Sequence, residues 1–120
     1  MPARFVILHH RLDGGEHWDL MLEHREVLLT WQLLCEPVDA ASLPLPARRI
    51  GDHRKAYLEY EGPVSGGRGT VRRVDAGTLE IEKASENRLQ FRLGGSRLRG
   101  SFVLQRVEAP EWTLANLPVP

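Results

Sequence analysis

The sequence predicts an all-β domain with at most one short helical turn, its antiparallel sheet closing into a small barrel or a sandwich. Three observations carry this reading. Apolar and polar side chains alternate with period two late in the chain: Leu79 and Ile81 against Thr78, Glu80 and Glu82; Leu89, Phe91 and Leu93 against Arg88, Gln90 and Arg92; Leu98, Phe102 and Leu104 against Arg97, Arg99, Ser101 and Gln105. Turn-forming clusters at Asp75-Ala76-Gly77, Ser85-Glu86-Asn87 and Gly94-Gly95-Ser96 bound these runs at nearly regular spacing. No stretch shows the 3.6-residue period of an amphipathic helix.

Taken in order, residues 4–10 (Arg-Phe-Val-Ile-Leu-His-His) are β-branched and apolar and read as a strand ending in histidines. Asp13-Gly14-Gly15 turns the chain back. Residues 17–23 form a second strand, with His17, Asp19, Met21 and Glu23 on a polar face and Trp18, Leu20 and Leu22 on the core side. After the polar connection His24-Arg25-Glu26, residues 27–34 are apolar nearly throughout, as expected of a strand covered on both faces. Residues 35–47 are rich in proline and alanine and allow one helical turn at residues 38–43. Residues 48–61 carry Asp52-His53, Tyr57 and Tyr60. Ser65-Gly66-Gly67-Arg68-Gly69 is a flexible loop able to bind an anion but more often a wide turn, since no helix follows it. Residues 112–114 add a last short strand. The expected domain is single, residues 1–120, with a core over about 4–114 and a loose tail from 115.

Hydrophobic residues make up 42% and charged residues 27% of the chain, ordinary values for a globular domain. A single cysteine, Cys35, allows no intramolecular disulfide and favours a cytoplasmic location. The apolar run at residues 5–8 is too short for a signal peptide or a membrane span. Net charge is zero, which argues against a simple electrostatic nucleic-acid binder. Its distribution is uneven: residues 1–67 carry 7 basic and 10 acidic side chains, residues 68–106 carry 9 basic and 4 acidic. Eight of those nine cations are arginines, suited to bidentate phosphate contacts, although only 2 of the 16 cations in the whole chain are lysine.

Chemistry concentrates between His9 and Asp19, which hold three of the five histidines. His17 and Asp19 share a strand face, and the turn at residues 13–15 brings His10 beside them. Two imidazoles and a carboxylate so arranged can ligate a divalent metal; the alternative is a set of solvated polar side chains. His17 and Asp19 with the distant His53 also match the ligand order of ferrous-iron oxygenases. Taken alone, His53 reads as a surface residue and Tyr57 as a packing aromatic. Trp31 and Trp112 read as core, and Cys35 lies in no redox or zinc spacing. Nucleophile-elbow, phosphate-loop and dinucleotide motifs are absent from the sequence.

Arg4-Phe5-Val6-Ile7, His10, His17-Trp18-Asp19, Leu22-Glu23, Leu28, Trp31, Asp52-His53, Tyr57, Glu61-Gly62, Gly69-Thr70-Val71, Asp75-Ala76-Gly77 and the late Leu93-Gly94, Leu98-Arg99-Gly100 and Leu104 follow one another in an order that resembles the 3′-phosphoesterase domain of bacterial DNA ligase D and its small stand-alone relatives. The resemblance covers residues 4–114. It implies a compact β-barrel with a shallow surface metal site, in a monomeric bacterial cytoplasmic enzyme that depends on Mn²⁺ or another divalent ion. Such an enzyme removes a 3′-terminal ribonucleoside and then the 3′-phosphate from DNA or RNA–DNA ends, beside end-joining proteins. His10, His17 and Asp19 are then the implied metal ligands, and His53 and Tyr57 the implied phosphate contacts. Two departures stand out. Met21 occupies the place of a phosphate-gripping family arginine, for which Arg68, Arg54 and Arg49 (or Arg48) are candidate replacements. Six residues, rather than the family's five, separate His10 from His17, which leaves His9 as a competing ligand. A catalytically weak end-binding module that retains the metal site is the alternative function.

Overall fold

The hairpin predicted around Asp13-Gly14 opens the molecule, which is known from a computed structural model describing residues 2–118. Strand β1 (Ala3–Leu12) pairs antiparallel with β2 (Gly15–His24), Leu12 facing Gly15 across a two-residue loop. A tight Arg25 turn leads to β3 (Val27–Leu33), and β4 (Leu45–Arg54) returns beside it. A 3-10 turn at Ala40–Ser42 lies in the proline-rich connection, where Asp39 caps the Ser42 N–H. A second 3-10 turn, Lys55–Leu58, follows β4 directly. The two-residue strand β5 (Gly62–Pro63), the long β6 (Thr70–Ala84), β7 (Arg88–Gly94), β8 (Arg99–Glu108) and β9 (Glu111–Asn116) complete the chain.

Hydrogen bonding runs β1-β2-β3-β4-β9-β8-β7-β6, and β6 returns to β1. The result is a closed, eight-stranded antiparallel barrel with β5 appended to β6. Closure, and not a sandwich, is the outcome because β6 is long enough to pair with β1 through Thr70–Leu79 and with β7 through Thr78–Ala84. It also removes the exposed sheet edges that invite edge-to-edge association.

Period-two alternation sends Phe5, Ile7, Trp18, Leu20, Leu22, Phe91, Phe102 and Leu114 into the barrel interior. A second, smaller apolar cluster lies on the opposite face of β1, β2 and β3: Val6, Leu8, Met21 and Leu28, covered by Leu58, with Tyr57 and Val64 packed against it. Strand β2 is therefore buried on both faces over its centre, and the face expected to be polar is polar only at its two ends, at His17–Asp19 and at Glu23. The cover comes from the 3-10 turn at Lys55–Leu58, which period-two reading of the sequence does not announce.

Two expectations are corrected. Asp75-Ala76-Gly77 is no turn but the middle of β6. The Asp75 carboxylate is buried and accepts N–H bonds from Ala76, Ser96, Arg97 and Leu98, so it organises the β7–β8 connection from the strand beside β7. Gly77 is needed because a Cβ there would stand 2.1 Å from the Gly94 carbonyl oxygen. The tail is not loose from residue 115: β9 runs to Asn116, whose amide donates to Ala40, and Leu117 N–H bonds Ser101. The remainder of that expected tail, residues 119–120, lies outside the described residues.

Candidate metal centre

In an antiparallel pair, directly opposed residues project to the same face. The β1–β2 register sets His10 opposite His17 and Leu8 opposite Asp19, so both histidines and the aspartate rise from one face of the hairpin. One donor atom from each of His10, His17 and Asp19 lies within 4.8 Å of the other two. His10 Nδ1 is 3.1 Å from His17 Nε2, while the Asp19 carboxylate oxygens stand 3.3 Å from His17 Nε2 and 3.7 Å from His10 Nδ1.

His9 points the other way. Its ring stacks on Trp18 with centroids 4.8 Å apart and planes 7° from parallel, and its Nε2 meets Glu16 Oε1 at 2.5 Å. Six intervening residues serve the His10–His17 pair because the hairpin closes on a two-residue loop, which pairs positions symmetrically about residues 13 and 14.

The donor chemistry fits a divalent cation. His10 Nε2 is 2.6 Å from the Arg68 carbonyl oxygen. A carbonyl only accepts, so that nitrogen carries the proton and the Nδ1 lone pair of the neutral ring faces the cluster. Such an outer hydrogen bond to the far nitrogen is how proteins hold a histidine tautomer for metal binding. Asp19 is 3% exposed, and its Oδ1 has no hydrogen-bond partner among the described residues. The 3.3 Å approach of His17 to that oxygen is an ion-pair distance without hydrogen-bond alignment. A buried carboxylate oxygen left this way is costly, and a cation between it and the two imidazoles would satisfy all three groups.

The loop ahead of β6 holds this arrangement in place. Gly69 has φ +83°, and a Cβ on it would fall 2.0 Å from the Arg11 carbonyl oxygen. Only glycine lets the loop pass this close to β1, which is what carries the Arg68 carbonyl to His10.

His53, opposite Leu28 on β4, shares the site face; its Nδ1 bonds the Gly51 carbonyl oxygen at 2.9 Å. Tyr57, on the second 3-10 turn, packs edge-on to His53 with centroids 5.6 Å apart. Among the described residues neither hydrogen-bonds to the three-donor cluster, and His53 does not join its ligand set. The His17–Asp19–His53 set of the oxygenase reading is thus not assembled, because β3 stands between β2 and β4 and sets His53 two strands from the cluster.

The arginines separate by face. Arg49 faces Trp31 across β3–β4, on the side opposite the cluster: its guanidinium lies 4.5 Å over the Trp31 ring and bonds Thr30, Ile50 and Asp52. Arg48 is on the site face and pairs at 3.9 Å with Glu111. The Arg68 guanidinium bonds the Ser65 carbonyl and hydroxyl. Arg54 is exposed beside Tyr57, with no side-chain hydrogen bond or ion pair among the described residues. The sequence reading missed Arg73. It lies opposite Leu8, in one transverse row with Leu8 and Asp19, and its Nε is buried with no hydrogen-bond partner among the described residues. A bulge between Ile7 and Leu8 shifts the β1–β6 register and sets its face, a signal that no pattern within β6 contains.

Among the described residues no helix is long and apolar enough to cross a membrane. The chain is 30% identical, over 94% of its length, to the multifunctional non-homologous end joining protein LigD of Mycobacterium bovis and to the multifunctional non-homologous end joining DNA repair protein LigD of Mycobacterium tuberculosis. It spans about 16% of the length of each of these relatives. Residues 8–106 match the family model for the DNA ligase D 3′-phosphoesterase domain, a stretch holding the His10–His17–Asp19 cluster, His53, Tyr57 and the Arg68 loop, and the chain belongs to that family.

Proposed function

We propose that this chain is a metal-dependent 3′-phosphoesterase acting on DNA or RNA–DNA ends in end joining, with His10, His17 and Asp19 as ligands of Mn²⁺ or a similar divalent ion. The observation that carries the reading is the convergence of two imidazole nitrogens and a buried, unpartnered carboxylate oxygen within 4.8 Å, on a member of this family. When bound there, the cation supplies Lewis-acid polarisation of a phosphoryl oxygen and neutralises developing charge.

The chain's own residues do the rest. Asp19 and the two histidines fix the site on paired strands, and the Arg68 carbonyl holds the His10 tautomer. His53 and Tyr57 contact the scissile phosphate: the imidazole can move a proton at Nε2, because Nδ1 is engaged with Gly51, and the phenol can donate to a non-bridging oxygen. Arg73 supplies the phosphate grip that Met21 cannot. Met21 is 1% exposed within the second apolar cluster, whereas the Arg73 guanidinium has a buried donor awaiting an acceptor on the same face. Arg54 and Arg68 flank this surface as secondary contacts, and Arg49 takes no part.

The test is phosphate release from a duplex carrying a recessed 3′-phosphate, with Mn²⁺ and then with chelator, beside His17→Ala. Metal-dependent release lost in the variant is the expected result. A wild-type protein that binds the metal and the DNA end without releasing phosphate would instead favour the end-binding module, the reading that the apolar Met21 supports.

A further inference from the structure

The second 3-10 turn builds a cavity that the metal cluster does not use. It has a volume of about 230 Å³ and is lined by Tyr57 and Tyr60, with Pro63, Val64 and Arg54. The two rings meet nearly at right angles, centroids 5.8 Å apart, so one presents a face where the other presents an edge. The Tyr60 hydroxyl is tied to the Pro63 carbonyl, which fixes that ring although 37% of the residue is exposed. Exposed aromatic surface held rigid in this way costs little further entropy on binding a flat ligand.

Three features say what that ligand is. The volume falls below the ~300–1,000 Å³ of sites for drug-sized molecules, so it takes one ring system and not a folded chain. Arg54 brings a cation with no ion-pair partner among the described residues to the edge of an aromatic slot, the pairing that suits a base attached to a phosphate. Tyr57 lines the cavity and packs edge-on against His53, so a group in the cavity adjoins the proposed phosphate contacts.

We propose that this tyrosine cavity receives the base of the 3′-terminal nucleoside, stacked on Tyr60 and held by its phosphate at Arg54. The inference rests on the phosphoesterase reading above and gives a terminal nucleoside its place in the fold. It makes Tyr60 a specificity-determining residue: a strand ending in a nucleoside fills the cavity, and one ending in a bare phosphate leaves it to water.

The test measures equilibrium binding, by fluorescence anisotropy, of two labelled primer–templates that differ only in ending in a 3′-ribonucleoside or a 3′-phosphate. Binding by the full chain, held in chelator so that neither primer is cleaved, is compared with that of Tyr60→Ala, Tyr60→Phe and Arg54→Gln, and phosphate release from the second substrate by the Mn²⁺-loaded protein is followed in parallel. Loss of one stacking partner should weaken the ribonucleoside-ended primer roughly tenfold more than the phosphate-ended one in Tyr60→Ala. Tyr60→Phe, which keeps the ring face, should restore the preference, and Arg54→Gln should weaken the ribonucleoside-ended primer severalfold. Equal effects of Tyr60→Ala on the two primers, with both bound and phosphate released by the wild type, overturn the cavity assignment and leave the phosphoesterase reading standing. A wild type that binds neither primer and releases no phosphate overturns both. Should Tyr60→Ala not fold, Tyr60→Leu, which removes the ring but keeps an apolar side chain, takes its place, and an unchanged ratio of the two affinities sinks the proposal.

Discussion

At the scale of single residues, Asp19 carries the most unusual burden, a buried carboxylate with one oxygen unpartnered. Among the described residues no hydrogen bond to Oδ1 is lost with the carboxylate, so Asp19→Asn should not lower the melting temperature of metal-free protein, while abolishing the rise expected of the wild type with Mn²⁺. At about 100-fold excess over Kd that rise corresponds to about 2.7 kcal/mol, or roughly 10 °C for a domain of this size. Thermal melts with and without Mn²⁺ check both halves; an unaltered Mn²⁺ response in the variant would remove Asp19 from the ligand set. Arg73 makes the complementary case. Because its buried Nε bonds none of the described residues, Arg73→Leu should leave stability unchanged or slightly raised, yet reduce kcat/KM for a 3′-phosphate about 10- to 100-fold, the worth of a charge-assisted hydrogen bond. Steady-state kinetics beside a urea titration separate the two effects. Neither residue's importance follows from its type: histidines and aspartates announce chemistry in a sequence, but a half-buried arginine in an arginine-rich chain does not.

At the scale of elements, the β1–β2 hairpin is the unit whose local sequence says most. Alternation, the Asp13-Gly14 turn and His-x-Asp spacing settle its faces, and they bring His10 and His17 opposite one another with no help from the rest of the fold. Strand β6 is the reverse. Its Asp75-Ala76-Gly77 has the composition of a turn, but Asp75 is spent on the N–H groups of residues 96–98 and Gly77 on a close approach to Gly94. Both partners are about twenty residues away, so their demand is invisible locally. Replacing Asp75 by Ala leaves the N–H groups of Ser96, Arg97 and Leu98 without their acceptor, the last of them buried, and should cost about 3 kcal/mol. A denaturant midpoint shift well under 1 kcal/mol would show that the connection is held by the strands alone.

At the scale of the whole molecule, closure of the barrel makes the three-donor cluster rigid, because the two strands that carry it are paired on both edges along most of their length, β1 with β2 and β6 and β2 with β1 and β3. The zero net charge sets how such a surface meets nucleic acid. Without a broad positive field, end binding should rest on a few local phosphate contacts. We therefore expect log Kd for a 3′-phosphate end to vary with log salt at a slope of magnitude roughly 2–3, the value for two or three neutralised phosphates. A salt titration between about 50 and 200 mM reads it directly. A much steeper dependence would mean that the arginines of residues 68–106 act together as an extended binding face.

The sequence alone determined the fold class and the first hairpin with its His17-x-Asp19 spacing, because both follow from periodicity and turn chemistry within a few residues. It also carried the family resemblance, since the order of motifs survives without coordinates. Only the tertiary structure decided that the sheet closes, that the outer face of β2 is covered, that Asp75 braces a distant loop, and that Arg73 and Arg49 lie on opposite sides of the wall. Each of those depends on register between strands far apart in the chain, and a shift of one residue, such as the bulge at Ile7 and Leu8, exchanges one face for the other.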